Sequence, residues 1–86
     1  MKSYRNYGLR NISYLQKRRP EKNEHRFYRI HVCQGVFDDG SVVREWGRIG
    51  SPGTVRSSWF GMEAEALLAA EQWRLRKVKD GYRPLE

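Results

Sequence analysis

Asp38-Asp39-Gly40-Ser41-Val42-Val43-Arg44-Glu45-Trp46-Gly47-Arg48-Ile49-Gly50-Ser51-Pro52-Gly53 reads as one strand held between two turns. Asp38-Asp39-Gly40 suits the positive φ of a tight hairpin. Gly50-Ser51-Pro52-Gly53 packs several strand breakers together at the other end. Between them, alternation sets Val43, Glu45, Gly47 and Ile49 on one face. Val42, Arg44, Trp46 and Arg48 share the other. A β-hairpin and a further reversal at Gly50–Gly53 therefore fix an antiparallel arrangement around this segment.

Working outward, residues 26–34 form the preceding strand, with Tyr28, Ile30 and Val32 on one face. Thr54–Phe60 follows as a third strand rich in β-formers, and a shorter one is expected from Ile12 to Gln16. Lys17-Arg18-Arg19-Pro20-Glu21-Lys22-Asn23 is expected to be a polar loop, since Pro20 cannot donate to a ladder. After Gly61 the composition changes to helix formers from Met62 to Lys79. Ala64, Leu67, Leu68, Glu71, Leu75 and Val78 fall at helical spacing and are the expected buried stripe. Acids precede bases along this segment, as the helix dipole favours. Gly81 is placed to cap it in the left-handed region. The expectation is an α+β fold: an antiparallel β-sheet of about four strands with one C-terminal helix packed across one face. Residues 12–84 make a single domain, and residues 1–11 a flexible basic lead-in.

The 86 residues carry 17 Lys/Arg against 10 Asp/Glu, a net charge of +7. Residues 1–29 hold nine of the bases and only two acids, so the whole excess lies in the first third. Such a concentrated field draws polyanions, nucleic acid first among them. The single Cys33 rules out an internal disulfide, and with only His25 and His31 a zinc finger is implausible. No metal site, cofactor, nucleophile–base pair or phosphate-cradling glycine motif is visible, so an enzyme is not expected. No apolar run spans a membrane, and none follows the basic start as a secretory leader would require. The expected address is the cytoplasm, or the nucleoid if DNA is bound.

Trp46 between Arg44 and Arg48 makes an apolar plate flanked by guanidinium groups. Such a plate can stack on a base or sugar while the arginines take phosphate oxygens. The same spacing also fits an indole packed beneath another element, with arginines at its edge. Lys17, Arg18, Arg19 and Lys22 could clamp phosphates beside it, and Arg56 could extend the patch. Trp59 and Trp73 read as core or core-edge residues, and Cys33 as a small buried hydrophobe.

Arg26-Phe27-Tyr28-Arg29-Ile30, then Trp46-Gly47-Arg48-Ile49-Gly50, then a helix ending in Gly81-Tyr82, resembles the WGR domain, a family named for its Trp-Gly-Arg triplet. The resemblance spans roughly residues 12–83. It implies an antiparallel sheet crossed by one helix. In DNA-damage-dependent poly(ADP-ribose) polymerases this domain grips DNA ends or nicks and touches neighbouring domains. By that likeness Trp46 would stack on a terminal sugar, and Arg48 would meet a phosphate or a neighbouring domain. Gly47 would leave room for both. Asn23 matches a polar position near the DNA, and Tyr82 more loosely a C-terminal aromatic near the same surface. The 86 residues hold no ADP-ribosyl transferase domain, so the likeness is to the short bacterial members. The expected partner is DNA, ends or nicks favoured, with RNA as a second polyanion. The alternative is a protein-protein interaction module using the same surface.

Overall fold

The computed structural model describes residues 9–85, with side chains described from residue 13. The strands are β1 (Leu9–Arg19), β2 (Glu24–Gln34), β3 (Gly40–Arg48), β4 (Thr54–Phe60) and the two-residue β5 (Arg83–Pro84). A single helix, α1 (Glu63–Lys79), follows β4. The sheet order is β4-β3-β2-β1-β5, with every neighbouring pair antiparallel. The α+β arrangement holds, with β5 added as a fifth strand.

β1 is longer at both ends than its alternation suggests. Leu9 and Arg10 already pair with Cys33 and Val32, so residues 9–11 belong to the strand and not to a lead-in. Residues 1–8 of that expected lead-in lie outside the described residues. The register shifts between Arg10 and Ser13, which breaks the two-residue period and hides the strand's start. Lys17, Arg18 and Arg19, expected in a loop, complete β1 opposite Arg26, His25 and Glu24. Pro20 interrupts pairing only from its own position onward. The reversal itself is a 3-10 turn, Pro20–Lys22, closed by Asn23 at φ 53. Asn is among the few residues that accept that region readily.

At the β2–β3 hairpin the positive φ falls on Asp38, not on Gly40. Gly40 serves packing instead. A Cβ there would stand 3.0 Å from the Ala66 Cβ and 3.3 Å from the Glu63 Cα. The missing side chain lets α1 start directly on β3, where the Glu63 N–H also donates to the Asp38 carbonyl at 2.8 Å.

α1 ends in a Schellman cap. Tyr82 N–H donates to the Lys77 carbonyl at 3.0 Å and Gly81 N–H to the Val78 carbonyl at 3.1 Å. Gly81, at φ 103, makes that geometry available. The cap turns Tyr82 down into the core, where it is 6 % exposed.

The main core lies between α1 and one sheet face: Leu15, Tyr28, Ile30, Val32, Val42, Ala66, Ala70 and Tyr82. Trp46, Phe60, Leu67, Ala69 and Trp73 pack around it. The expected helix stripe is therefore rotated. Leu68 is 61 % exposed, and Ala64, Leu75 and Val78 also face solvent, while Ala66 and Ala70 are buried. Close approach to the sheet selects small residues at the contact, and the leucines ride on the flanks. Trp59 is not a core residue either. It is 67 % exposed on the helix-free face, and its indole N–H donates to the Asp39 carboxylate at 2.7 Å. That bond holds the Asp39 carboxyl below its usual range. Cys33 is half-buried.

Candidate nucleic-acid interface

The register decides which cations meet. Lys17 of β1 pairs with Arg26 of β2, and Arg26 with Arg48 of β3. Cross-strand partners share a face, so three cations stand in one row on the helix-bearing side. The next row inward is Leu15–Tyr28–Trp46, and the one beyond it includes Ile30, Arg44 and Arg56. α1 starts above Gly40, and its C-terminal cap reaches Lys17 and Arg19. The row therefore runs from Lys17 at the edge of that cap to Arg26 and Arg48 in the open, at the corner of the sheet closed by the Pro20–Asn23 reversal. Lys17, Arg19, Lys22, Asn23, Arg26 and Arg48 line an open groove there, together with Glu24 and His25.

Arg48 is oriented by the turn. Its guanidinium donates to both the carbonyl and the side-chain oxygen of Asn23, each at 3.2 Å. Asn23, with its backbone in the left-handed region at φ 53, presents both oxygens to Arg48. Glu24 is the groove's acid. It lies 3.6 Å from Arg19 and 4.0 Å from Lys17, and among the described residues neither Arg26 nor Arg48 is paired with a carboxylate. Like charges directly opposed across strands destabilise a sheet. A row of three cations concentrates positive potential at this corner.

Trp46 is half-buried, stacked on Tyr28 with centroids 6.2 Å apart and planes 27° apart. Arg44 lies 5.7 Å from its ring and 4.0 Å from the ring of Trp73 on α1. The indole is thus neither sealed in nor standing free: it forms the border between core and cation row. The Arg44 Nε and the Tyr28 hydroxyl are buried and have no hydrogen-bond partner among the described residues. Burial pushes the Tyr28 hydroxyl above its usual range, opposed by the neighbouring Arg44 charge.

The site residues expected from the sequence divide accordingly. Lys17, Arg19, Lys22, Asn23 and Arg48 share the groove, with Trp46, Arg44 and Arg56 alongside on the same face. Arg18 points to the other face, where its Nε donates to Gln16 at 3.1 Å. Gly47 also belongs to that face. A Cβ there would meet the Gly53 Cα at 3.2 Å and Phe27 at 3.5 Å, so its open space holds the protein's own second turn rather than a ligand. Tyr82 is buried beneath Lys17 and Lys77, whose ammonium groups lie 5.7 Å and 5.4 Å from its ring. It supports the groove from below instead of reaching a ligand. Sequence reasoning missed Arg26 as a groove residue, whereas Trp73 sits at the core edge as expected. The signal for Arg26 was the two-residue period measured back from the Pro20–Asn23 reversal.

A small antiparallel-sheet module crossed by one helix, with its cations gathered at one corner, is the class this geometry defines. The family model for the WGR domain matches residues 12–86, and the chain belongs to that family. WGR domains are in general non-catalytic modules of nucleic-acid-binding type. The chain is also similar to an uncharacterized protein, y4dW, of Sinorhizobium fredii, with 34 % identity over 71 residues. That match covers 83 % of this chain and 35 % of the relative, so the chain spans about a third of the relative's length. No solved structure matches significantly. Among the described residues no group of three or more His, Cys, Asp or Glu is placed to hold a metal ion, and no helix is long and apolar enough to cross a membrane.

Proposed function

We propose that this domain binds DNA across the Lys17–Arg26–Arg48 corner, with strand ends or nicks favoured over intact duplex. The observation that carries the reading is the cross-strand row of three cations, of which Arg26 and Arg48 have no carboxylate partner among the described residues. Phosphates along one strand would take the row and Arg56. The exposed part of Trp46 would lie against the sugar or base face that an interrupted strand frees from stacking. Asn23 holds Arg48 ready, lowering the ordering cost on binding.

Fluorescence anisotropy with nicked, blunt-ended and circular intact duplexes, at several salt concentrations, tests this. Removing one phosphate-binding cation should reduce the salt slope by about 0.9. The triple variant Lys17→Gln/Arg26→Gln/Arg48→Gln should therefore flatten the slope by roughly 2 to 3. Trp46→Ala should instead erode the preference for nicks. Absence of binding to any of the duplexes at low salt would sink the proposal; equal affinity for circular DNA would remove its end preference.

A further inference from the structure

We propose that β4 is a dimerisation edge, to which a second copy of this chain adds its own β4 antiparallel with Ser57 on the two-fold axis. Among the described residues β4 is paired on one side only, by β3, over seven consecutive positions with no register shift. Edge strands are commonly blunted by proline, bulges, lysines or shortness. The far side follows that pattern: β5 has two residues, one of them Pro84, and covers only Leu15 and Gln16, while the rest of the β1 edge carries a register shift between Arg10 and Ser13 and the charges of Lys17, Arg18 and Arg19. β4 has no proline and no bulge, and its one charge is Arg56.

The sequence of β4, Thr54-Val55-Arg56-Ser57-Ser58-Trp59-Phe60, is complementary to its own reverse. With Ser57 opposite Ser57 of the second copy, all seven residues pair. Val55 then meets Trp59 twice, Thr54 meets Phe60 twice, and Arg56 meets Ser58 twice. Cross-strand partners share a face, and Val55 and Trp59 both lie on the helix-free face, so the match respects the pleat. Centring on Arg56 would set two arginines directly opposite, and centring on Ser58 would shorten the ladder. The Ser57 register avoids both. Aromatic and β-branched residues are favourable cross-strand pairs. In the single chain Val55 is 58 % and Trp59 67 % exposed, and pairing covers both. The Trp59 ring is already anchored by its bond to Asp39, so little freedom is lost on docking. The axis stands perpendicular to the sheet. Both helices and both cation rows therefore come to one side of a continuous sheet, and two nucleic-acid sites would act together.

The ladder is short for a protein interface, so a dissociation constant on the order of 10–100 µM is expected. Sedimentation equilibrium of the full chain from about 1 to 500 µM should show the mass rising from 10.2 kDa toward twice that value. Val55→Lys/Trp59→Lys places lysines against lysines across the axis and should weaken association at least ~10-fold. Glu45 and Asp39 flank those positions within the chain, so the fold should tolerate both lysines, as a thermal melt would verify. In a Cys33→Ser background, Ser57→Cys should crosslink on oxidation and Ser58→Cys should not, because only residue 57 faces itself. A mass of 10.2 kDa at every concentration overturns the proposal. So does a dimer that the double-lysine variant leaves intact, or equal crosslinking at positions 57 and 58.

Discussion

The two ends of the sheet obey opposite rules. Around Gly40, Val42 and Val32 the helix lies close enough that a single added Cβ would meet Ala66 at 3.0 Å. Around Lys17, Arg26 and Arg48, only the α1 cap reaches the sheet among the described residues, at Lys17, and like charges face one another across strands. The first end gains stability from burial, at about 1.5–3 kcal/mol for each fully buried aliphatic side chain. The second gives up a few tenths of a kcal/mol or more at each opposed pair. Leu15, Tyr28 and Trp46 mark the boundary, so Trp46 belongs partly to both regimes. A domain this small cannot spread such a liability thinly. Concentrating it at one corner, from the edge of the helix cap outward, leaves the core undisturbed.

Separation of this kind is broken most severely from the packed end. Ile30 is 1 % exposed and central to the core. Ile30→Ala should cost about 2–5 kcal/mol. In a domain of this size, about 1 kcal/mol shifts the melting temperature by roughly 4–8 °C. DNA affinity measured on the remaining folded fraction, well below the melt, should stay within about threefold of wild type (~0.6 kcal/mol). A large affinity loss in the folded fraction would show that the core and the corner are coupled, contrary to the division drawn above.

The same comparison is sharpened from the charged end. Lys17→Gln/Arg26→Gln/Arg48→Gln should weaken DNA binding while leaving the melting temperature unchanged or slightly raised. Each relieved repulsion is worth roughly 0.2–1 kcal/mol, offset in part by losing the Arg48–Asn23 hydrogen bonds. A calorimetric melt of the triple variant beside its binding isotherm gives both numbers. A fall of more than ~2 kcal/mol in stability would mean that the row is structural.

Much of this contrast was legible in the sequence. Alternation and turn residues placed β2, β3 and β4 within two residues of their observed ends, and Gly81 marked the helix stop. Alternation also grouped Trp46 with Arg44 and Arg48 correctly. It could not say which face α1 would cover, because that choice depends on a chain crossing and not on local period. Trp46 consequently proved half-buried under the helix side instead of standing clear. The helix face was misread for a related reason. A stripe of leucines looks most apolar, yet contact with a sheet at short range favours Ala66 and Ala70. Arg26 escaped notice because its partners are set by register, and register followed from where the 3-10 turn begins. β5 is too short to leave any periodic trace.

The smallest expected effect lies on the helix-free face, away from both regimes. His31 is half-buried there on β2, opposite Val43, with Arg29 and Glu45 as its charged neighbours. Burial holds its pKa below the ordinary 6.5, the Arg29 charge adds to that, and Glu45 partly opposes it. A lowered folded pKa means that the unfolded chain takes up a proton more readily than the folded one. Stability from this group is therefore complete above pH 6.5 and declines as the pH falls toward the folded value, below which it levels off. Asp39 and Glu71 also have lowered values, but their ordinary pKa values of 3.8 and 4.5 put their losses at more acid pH. Chemical denaturation of the wild type at pH 7.5 and 5.5 should show a modest loss at the lower pH. His31→Gln should shrink that loss. An equal loss in both proteins would assign it to other groups, and a gain for wild type at pH 5.5 would reverse the sign argued from burial.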